Sequence, residues 1–463
     1  MFFGRSEELE SMNKRYNKNR FECVIIYGRR RVGKTSLIRE FCKDKKDIYF
    51  SAIRGTAQDN LEELSKAIYM YKEPESPQAP IYASFADAFD EITNIVKKEQ
   101  VVFVIDKYPY LAEADGSVSS RLQHIIDHVW QDSNLYLILC GSSMSFMENQ
   151  VLGYESPLYG RRTAQYKIQA MNYREITVFN PELDAGDQAL VYGITGGIPH
   201  YINKLDVVND VDEAIIENIF DSSAYLFEEP ENLLKQELRE PAVYNSIISA
   251  IAGGASRVNE IATKVGLATG ACSKYLKVLL DLEIVRKETP ITEKPGKKTI
   301  YVIEDNFFRF WYRFVSKNLS SVNAGRIKLI YDAAIRKYYP DYMGLVFEKM
   351  CKEYLLYYEN NPDYVIKEIG QWWGTDKKNR KEIQIDIVGT LAEGKEYIIG
   401  SCKYKNEKIN IDELQLLQDY AEVFGLGNKY HFYMFSKGGF TDALIEKADA
   451  GEVKLISLED MYL

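Results

Sequence analysis

The chain has 463 residues, too many for one ordinary core, so two to four domains are expected. A composition of 46% hydrophobic and 27% charged residues excludes a disordered polymer. The formal net charge of -10 excludes a global attraction for nucleic acid or anionic membranes, leaving such contacts to local basic patches.

The N-terminus, Met-Phe-Phe-Gly-Arg-Ser-Glu-Glu, reaches charge too early to form a signal-peptide core. No apolar run approaches membrane-spanning length, so no membrane partner is expected. Cys23, Cys42, Cys140, Cys272, Cys351 and Cys402 are scattered, which disfavours a zinc site or a disulfide framework. That usage fits a reducing cytoplasm.

Phe21 to Tyr27 is a short apolar run that ends at a glycine, as a buried parallel strand should. The loop Gly28-Arg29-Arg30-Arg31-Val32-Gly33-Lys34-Thr35 follows, then Ser36 and a stretch with Leu37, Ile38 and Phe41 at helical spacing. Strand, glycine-bounded loop and helix together make a phosphate cradle of backbone N–H groups at a helix N-terminus. Lys34 is expected on the β- and γ-phosphates of ATP, and the Thr35 hydroxyl on Mg²⁺. Leu61 to Met70 reads as an amphipathic helix, and the segment around Pro74, Pro77 and Pro80 as a loop. A second apolar strand, Val101 to Ile105, ends in Asp106, which suits the second Mg²⁺ contact. Leu135 to Cys140 is a third, ending at Gly141-Ser142-Ser143. Strands separated by helices predict an α/β domain with a parallel sheet.

Asp106 followed by Tyr108-Pro109-Tyr110-Leu111 resembles the second nucleotide motif of the archaeal-type AAA+ ATPases. The resemblance implies an acidic residue after the aspartate to orient water, and here that residue is Lys107. A lysine cannot accept that proton, so binding with slow hydrolysis is the expectation. Arg5, in Gly4-Arg5 with Glu8-Leu9, resembles the family's adenine-side element, and Ser142 its phosphate-sensing position. Arg161 and Arg162 stand where such proteins place an arginine for a neighbour's γ-phosphate, which implies a nucleotide-dependent homo-oligomer. Gly196-Gly197-Ile198-Pro199 resembles the lid signature of the STAND-like branch.

From Val243 to Leu282 three helical stretches are predicted, then strands at Ile284-Val285 and Ile300 to Val302 around a wing with Pro290, Pro295 and Gly296. This is a winged helix-turn-helix layout. Nine basic and five acidic residues lie between Ser256 and Ile300, a net of +4 in an acidic chain. Lys274 and Lys277 on the third helix, and Lys297 and Lys298 in the wing, are the candidates for DNA phosphates. The same module also serves as a structural or protein-binding unit.

Beyond an aromatic-rich helical connector, Glu348, Asp386 in Gln384-Ile385-Asp386-Ile387-Val388, and Lys403 resemble the PD-(D/E)xK nuclease core. That core forms a C-terminal domain of unknown function in the same ATPase family, and Trp372-Trp373-Gly374 fits it too. The resemblance implies metal-assisted phosphodiester hydrolysis, with Asp386 on the metal. Ser401 replaces the acid expected two residues before Lys403, and Glu382, on the strand face of Asp386, is the candidate to compensate. A degenerate DNA-binding or scaffold domain stands beside active cleavage as an alternative. The expected divisions are a P-loop ATPase domain at 1–170, a helical lid at 171–236 and a winged helix at 237–305. A connector at 306–340 and a restriction-endonuclease-like α/β domain at 341–463 complete the chain.

Overall fold

Period-two alternation sends successive residues of a strand to opposite faces, so a strand apolar throughout must have a core on each side. Strand β1 (Glu22–Tyr27) meets that condition, with every residue buried. Its Cys23, Ile25 and Tyr27 enter one hydrophobic cluster, while Val24 and Ile26 enter another. The same division holds for β3 (Val102–Asp106) and β4 (Tyr136–Gly141). With β2 (Asp47–Ser51) and β5 (Ala164–Lys167) they form a five-stranded sheet in the order β2-β3-β4-β1-β5. Each neighbouring pair is parallel. This is the α/β architecture expected from the sequence. The computed structural model describes residues 2–74, 80–294, 296, 298–359, 364–392, 395–427 and 429–463. Pro77 and Pro295, read as loop and wing, lie outside them.

Two compact units divide the chain. Residues 1–170 with 198–200 make the first, and residues 171–197 with 201–463 the second.

In the second unit the helix Ala185–Thr195 stops at Gly196, whose φ of 63° is the left-handed conformation a helix C-terminus favours. Three helices follow further on, Pro241–Ala252, Val258–Val265 and Thr269–Asp281. An antiparallel hairpin of β6 (Val285–Glu288) and β7 (Ile300–Ile303) completes that module.

The long helix Tyr339–Tyr357 precedes a mixed sheet of β8 (Ile366–Asp376), β9 (Lys381–Leu391), β10 (Glu396–Lys403), β11 (Lys429–Ser436) and β12 (Lys454–Ser457). Its order is β12-β11-β10-β9-β8, antiparallel from β8 to β10 and parallel from β10 to β12. The helix Ile411–Phe424 connects β10 to β11. One buried carboxylate joins the long helix to the segment after residue 170. Glu353 accepts hydrogen bonds from the Tyr192 hydroxyl at 2.6 Å and from the Tyr173 N–H at 3.2 Å. Among the described residues no helix is long and apolar enough to cross a membrane.

Candidate functional site

In parallel sheets, ligand-binding residues collect where strands end at their carboxyl edge. The loop Gly28 to Gly33 leaves β1 there and enters the helix Lys34–Cys42, whose first N–H groups have no intrahelical acceptor. Gly28 has a φ of 151°, and a Cβ on it would lie 2.3 Å from the Ile168 carbonyl oxygen, so only glycine fits. Arg31 and Gly33 also take left-handed conformations, which bends the loop into a concave backbone turn. Arg29 and Arg31 are half-buried along the loop, and Val32 anchors it in the core. The Lys34 ammonium folds back on the loop, donating to the carbonyls of Gly28 at 2.9 Å and Arg29 at 2.7 Å. Thr35 and Ser36 are exposed on the first turn of the helix.

Asp106 ends β3 on the same edge. It is buried, and its Oδ2 accepts from the Thr35 hydroxyl at 3.1 Å and the Tyr49 hydroxyl at 2.9 Å. The backbone N–H of Lys107 donates to its other oxygen at 2.8 Å. A hydroxyl and a carboxylate oxygen in contact form a hard-donor pair of the kind Mg²⁺ takes, so these residues fit that ion. Lys107 has a φ of 56° and an exposed side chain. Asp115, an acid at the end of the helix Tyr108–Ala114 that follows Lys107, is bound to Ser117. Ser142 follows β4, the strand between β1 and β3, and is half-buried. Arg5 reaches the loop through the Val32 carbonyl at 3.4 Å, and also bonds the Gln169 carbonyl and Glu8. Tyr49 and Tyr110, whose hydroxyl accepts from Arg30 at 2.9 Å, carry no motif that marks them in the sequence.

Arg161 and Arg162 precede β5, and Thr163 donates its N–H to the Cys23 carbonyl near the start of β1. They therefore stand at the amino edge of the sheet. A six-residue strand, about 20 Å, separates them from the loop, so Arg162 touches no phosphate held by its own chain. Arg161 is engaged by Asp127 through two hydrogen bonds of 2.8 and 2.6 Å.

In the second unit, Glu348 on the long helix, Asp386 on β9 and Lys403 at the end of β10 come together. Asp386 accepts from the Cys402 N–H at 3.0 Å, and Lys403 pairs with Glu413 at 3.2 Å. Gln371 on β8 donates to Glu348. Burial, then the charge of Asp386, pushes the Glu348 carboxyl up to about 7. Burial also raises Asp386, against the hydrogen bond from Cys402 and the charge of Lys403. Ser401 is buried. Glu382 is exposed, and four residues of strand put it about 13 Å from Asp386, so it does not take the vacant acidic place. Glu413, in the first turn of the next helix, is the acid that approaches the pair, and no spacing in the sequence points to it. Among the described residues no three His, Cys, Asp or Glu side chains are gathered to hold a metal ion, so the donor set here falls short of a metal cage.

Of the candidates for DNA phosphates, Lys274 and Lys277 are exposed on the helix Thr269–Asp281. Lys298 pairs with Glu293 at 2.5 Å, and Lys297 lies outside the described residues. The loop between β6 and β7 is docked, because the Ile291 N–H donates to the Gln371 carbonyl at 2.9 Å. Arg286 turns inward to Glu288 and Glu304, both at 3.2 Å.

The raised Glu348 carboxyl sets a pH dependence. Its folded value of about 7 exceeds the usual 4.5, so the folded state binds this proton more tightly than the unfolded chain. Its stabilisation is full below the unfolded value and is lost as pH rises to the folded one. In EDTA, wild type should lose up to about 3 kcal/mol more between pH 4.5 and 8 than Glu348→Gln, measured by urea denaturation. Equal losses would contradict the burial argument.

A sequence profile of an ATPase domain predominantly from Archaea matches residues 2–205. A second, of archaeal and bacterial proteins of unknown function, matches residues 311–414. An uncharacterized protein of Methanocaldococcus jannaschii is 32% identical over 467 residues, covering 99% of this chain and 100% of that protein. An uncharacterized ATP-binding protein of the same organism is 52% identical over 46 residues, 10% of this chain and 78% of that protein. Among solved structures, a Walker-type ATPase of Pyrococcus abyssi aligns with a TM-score of 0.54 at 20% identity. The alignment covers 67% of this chain and 96% of that one, a likeness of fold. With a P-loop ATPase domain on a five-stranded parallel sheet and that second profile behind it, the chain belongs to the family of archaeal ATPase-domain proteins that the full-length relative represents.

Proposed function

We propose that this protein is a cytoplasmic ATP-binding switch of the AAA+ type, which changes its contact with DNA or a protein partner according to the nucleotide it holds. The observation that carries the reading is the hydrogen bond from Thr35 to Asp106, which brings the two expected Mg²⁺ contacts together beside a glycine-bounded loop. Residues 28–36 would take the phosphates on backbone N–H groups, with Lys34 leaving its carbonyl partners for the β- and γ-oxygens. Mg²⁺, when bound by Thr35 and Asp106, supplies charge neutralisation between those phosphates. Arg5 would stand on the adenine side and Ser142 near the γ-phosphate. Arg162 would meet the nucleotide of a second copy in a nucleotide-dependent oligomer.

We divide the chain into the ATPase domain at 1–170, a STAND-like lid at 171–236, a winged helix at 237–305, a connector at 306–340 and a nuclease-like domain at 341–463. Three helices and a hairpin support the winged-helix reading, with Lys274 and Lys277 on DNA phosphates. With the wing loop held by Gln371, Lys297 and Lys298 take a lesser part. A second reading, an ATP-regulated Mg²⁺-dependent nuclease, is favoured by the order helix, three antiparallel strands, helix, strand around Glu348, Asp386 and Lys403. The donor set there falls short of a metal cage, so the switch is the preferred reading.

Calorimetry with Mg·ATP should give saturable binding that Lys34→Ala weakens by roughly 10- to 100-fold. Labelled DNA should bind differently with and without ATP, and lose that difference in Lys34→Ala. A response unaltered by ATP removes the switch. Lys107→Glu should raise ATP turnover by roughly 10²-fold if residue 107 occupies the water-orienting position, and no rise refutes that placement. Plasmid incubated with Mg²⁺ should show the same background nicking with wild type and Asp386→Ala. Nicking that disappears in Asp386→Ala would establish the nuclease instead.

A further inference from the structure

A cavity of about 290 Å³ opens between the base of the hairpin and the long helix Tyr339–Tyr357, lined wholly by residues of the second unit. One wall is a single helix face, since Leu345, Glu348, Lys349 and Lys352 recur at the three- and four-residue spacing that stacks side chains. Arg309 and Arg313, four residues apart, contribute a second wall, and Arg286 on β6 a third. Five cations thus face one cavity from three elements.

Most of that charge is matched. Glu304 takes Lys349 at 2.8 Å and Arg286 at 3.2 Å, and Arg313 pairs with Asp341. Glu288 takes Arg286, and Glu348 is bonded by Gln371. Arg309 and Lys352 have no carboxylate at ion-pair distance among the described residues, and feel only the more distant charges of Glu304 for Arg309 and of Glu348 and Asp386 for Lys352. The guanidinium of Arg309 stands over the Tyr342 ring at 5.1 Å and donates to Asn306 at 3.0 Å, yet its Nε is buried with no acceptor. The Nε of Arg286 is buried in the same condition. Two cations and two orphaned guanidinium donors on a half-enclosed cavity describe a place for an oxyanion, because buried charge is tolerated when it is paired and hydrogen-bonded.

The remaining lining is of another kind. Ile251, Val302 and Leu345 give the cavity an apolar side, and Leu345 is 53% exposed at the surface. An apolar body beside an anionic end matches a base joined to a phosphate, and the volume suits a molecule of that size.

We propose that this cavity is a second ligand site, distinct from the phosphate loop, for a small organic phosphate of nucleoside-monophosphate size. Arg309 and Lys352 hold the phosphate, and Val302 with Leu345 cover the base, Val302 standing on the hairpin face it shares with Arg286. A ligand seated there touches both the hairpin module and the C-terminal sheet domain, so its occupancy bears on how firmly the two are joined.

The test is calorimetry on the full chain with AMP, UMP and inorganic phosphate. Binding of a monophosphate that survives Lys34→Ala and falls roughly tenfold or more in Lys352→Gln supports the site. Arg309→Gln should have the same effect, and Lys352→Gln, on a half-exposed helix position, stands in if that variant fails to fold. No saturable binding of AMP or UMP, or binding unchanged in Lys352→Gln, overturns the proposal. Inorganic phosphate binding as tightly as the monophosphates overturns the assignment of a base. A single-stranded oligonucleotide that needs Lys352 while the monophosphates fail to bind assigns the cavity to a nucleic-acid strand instead. Loss of monophosphate binding in Lys34→Ala alone would place it at the phosphate loop, refuting the second site without touching the first.

Discussion

A carboxylate at the tip of β3 is gripped by three donors, and everything the phosphate loop can do is referred to that point. Asp106 is buried, and Thr35, Tyr49 and the Lys107 N–H supply the hydrogen bonds that a buried carboxyl needs. Thr35 begins the helix after β1, while Asp106 ends a strand two places away in the sheet. The hydrogen bond between them therefore spans β4 and fixes the loop relative to the sheet edge. Tyr49 raises the order of the arrangement further, since its hydroxyl reaches Asp106 from β2 on the other side, where burial and that carboxylate keep it protonated.

Local patterns in the sequence are enough to locate this edge. The apolar run ending at Tyr27 needs no partner to be recognised as a buried strand, and Gly28 and Gly33 declare a backbone turn that other residues resist. Asp106 is visible because a charged residue closes a fully apolar segment. What escaped the sequence is contact between distant segments. Tyr49 meets Asp106 only through the parallel register of β2 and β3, and Glu413 meets Lys403 only after the chain turns into a helix. Ile291 lies within the stretch read as a wing, and its N–H is used by the Gln371 carbonyl eighty residues later. The position of Arg162 at the opposite edge of the sheet follows only from the pairing of β1 with β5.

The two carboxylate sites differ in how they handle charge. At the phosphate loop, two hydroxyls and one N–H donate to Asp106. On the long helix, burial and a neighbouring acid hold Glu348 near the middle of its titration at neutral pH. Glu348 also borders the cation-rich cavity, so one helix face carries acid and base side by side. Such a face is expensive to build from charged residues unless each is paired, and Glu304 does much of that pairing.

Glu353 lies one turn beyond that face. Tyr192 and Tyr173 satisfy its two oxygens, and burial raises its carboxyl. Sliding the segment of those tyrosines along the helix would strand an acid and a hydroxyl together in an apolar interior. Slippage is thus resisted, and the register between the two elements is set by one acid held from two sides.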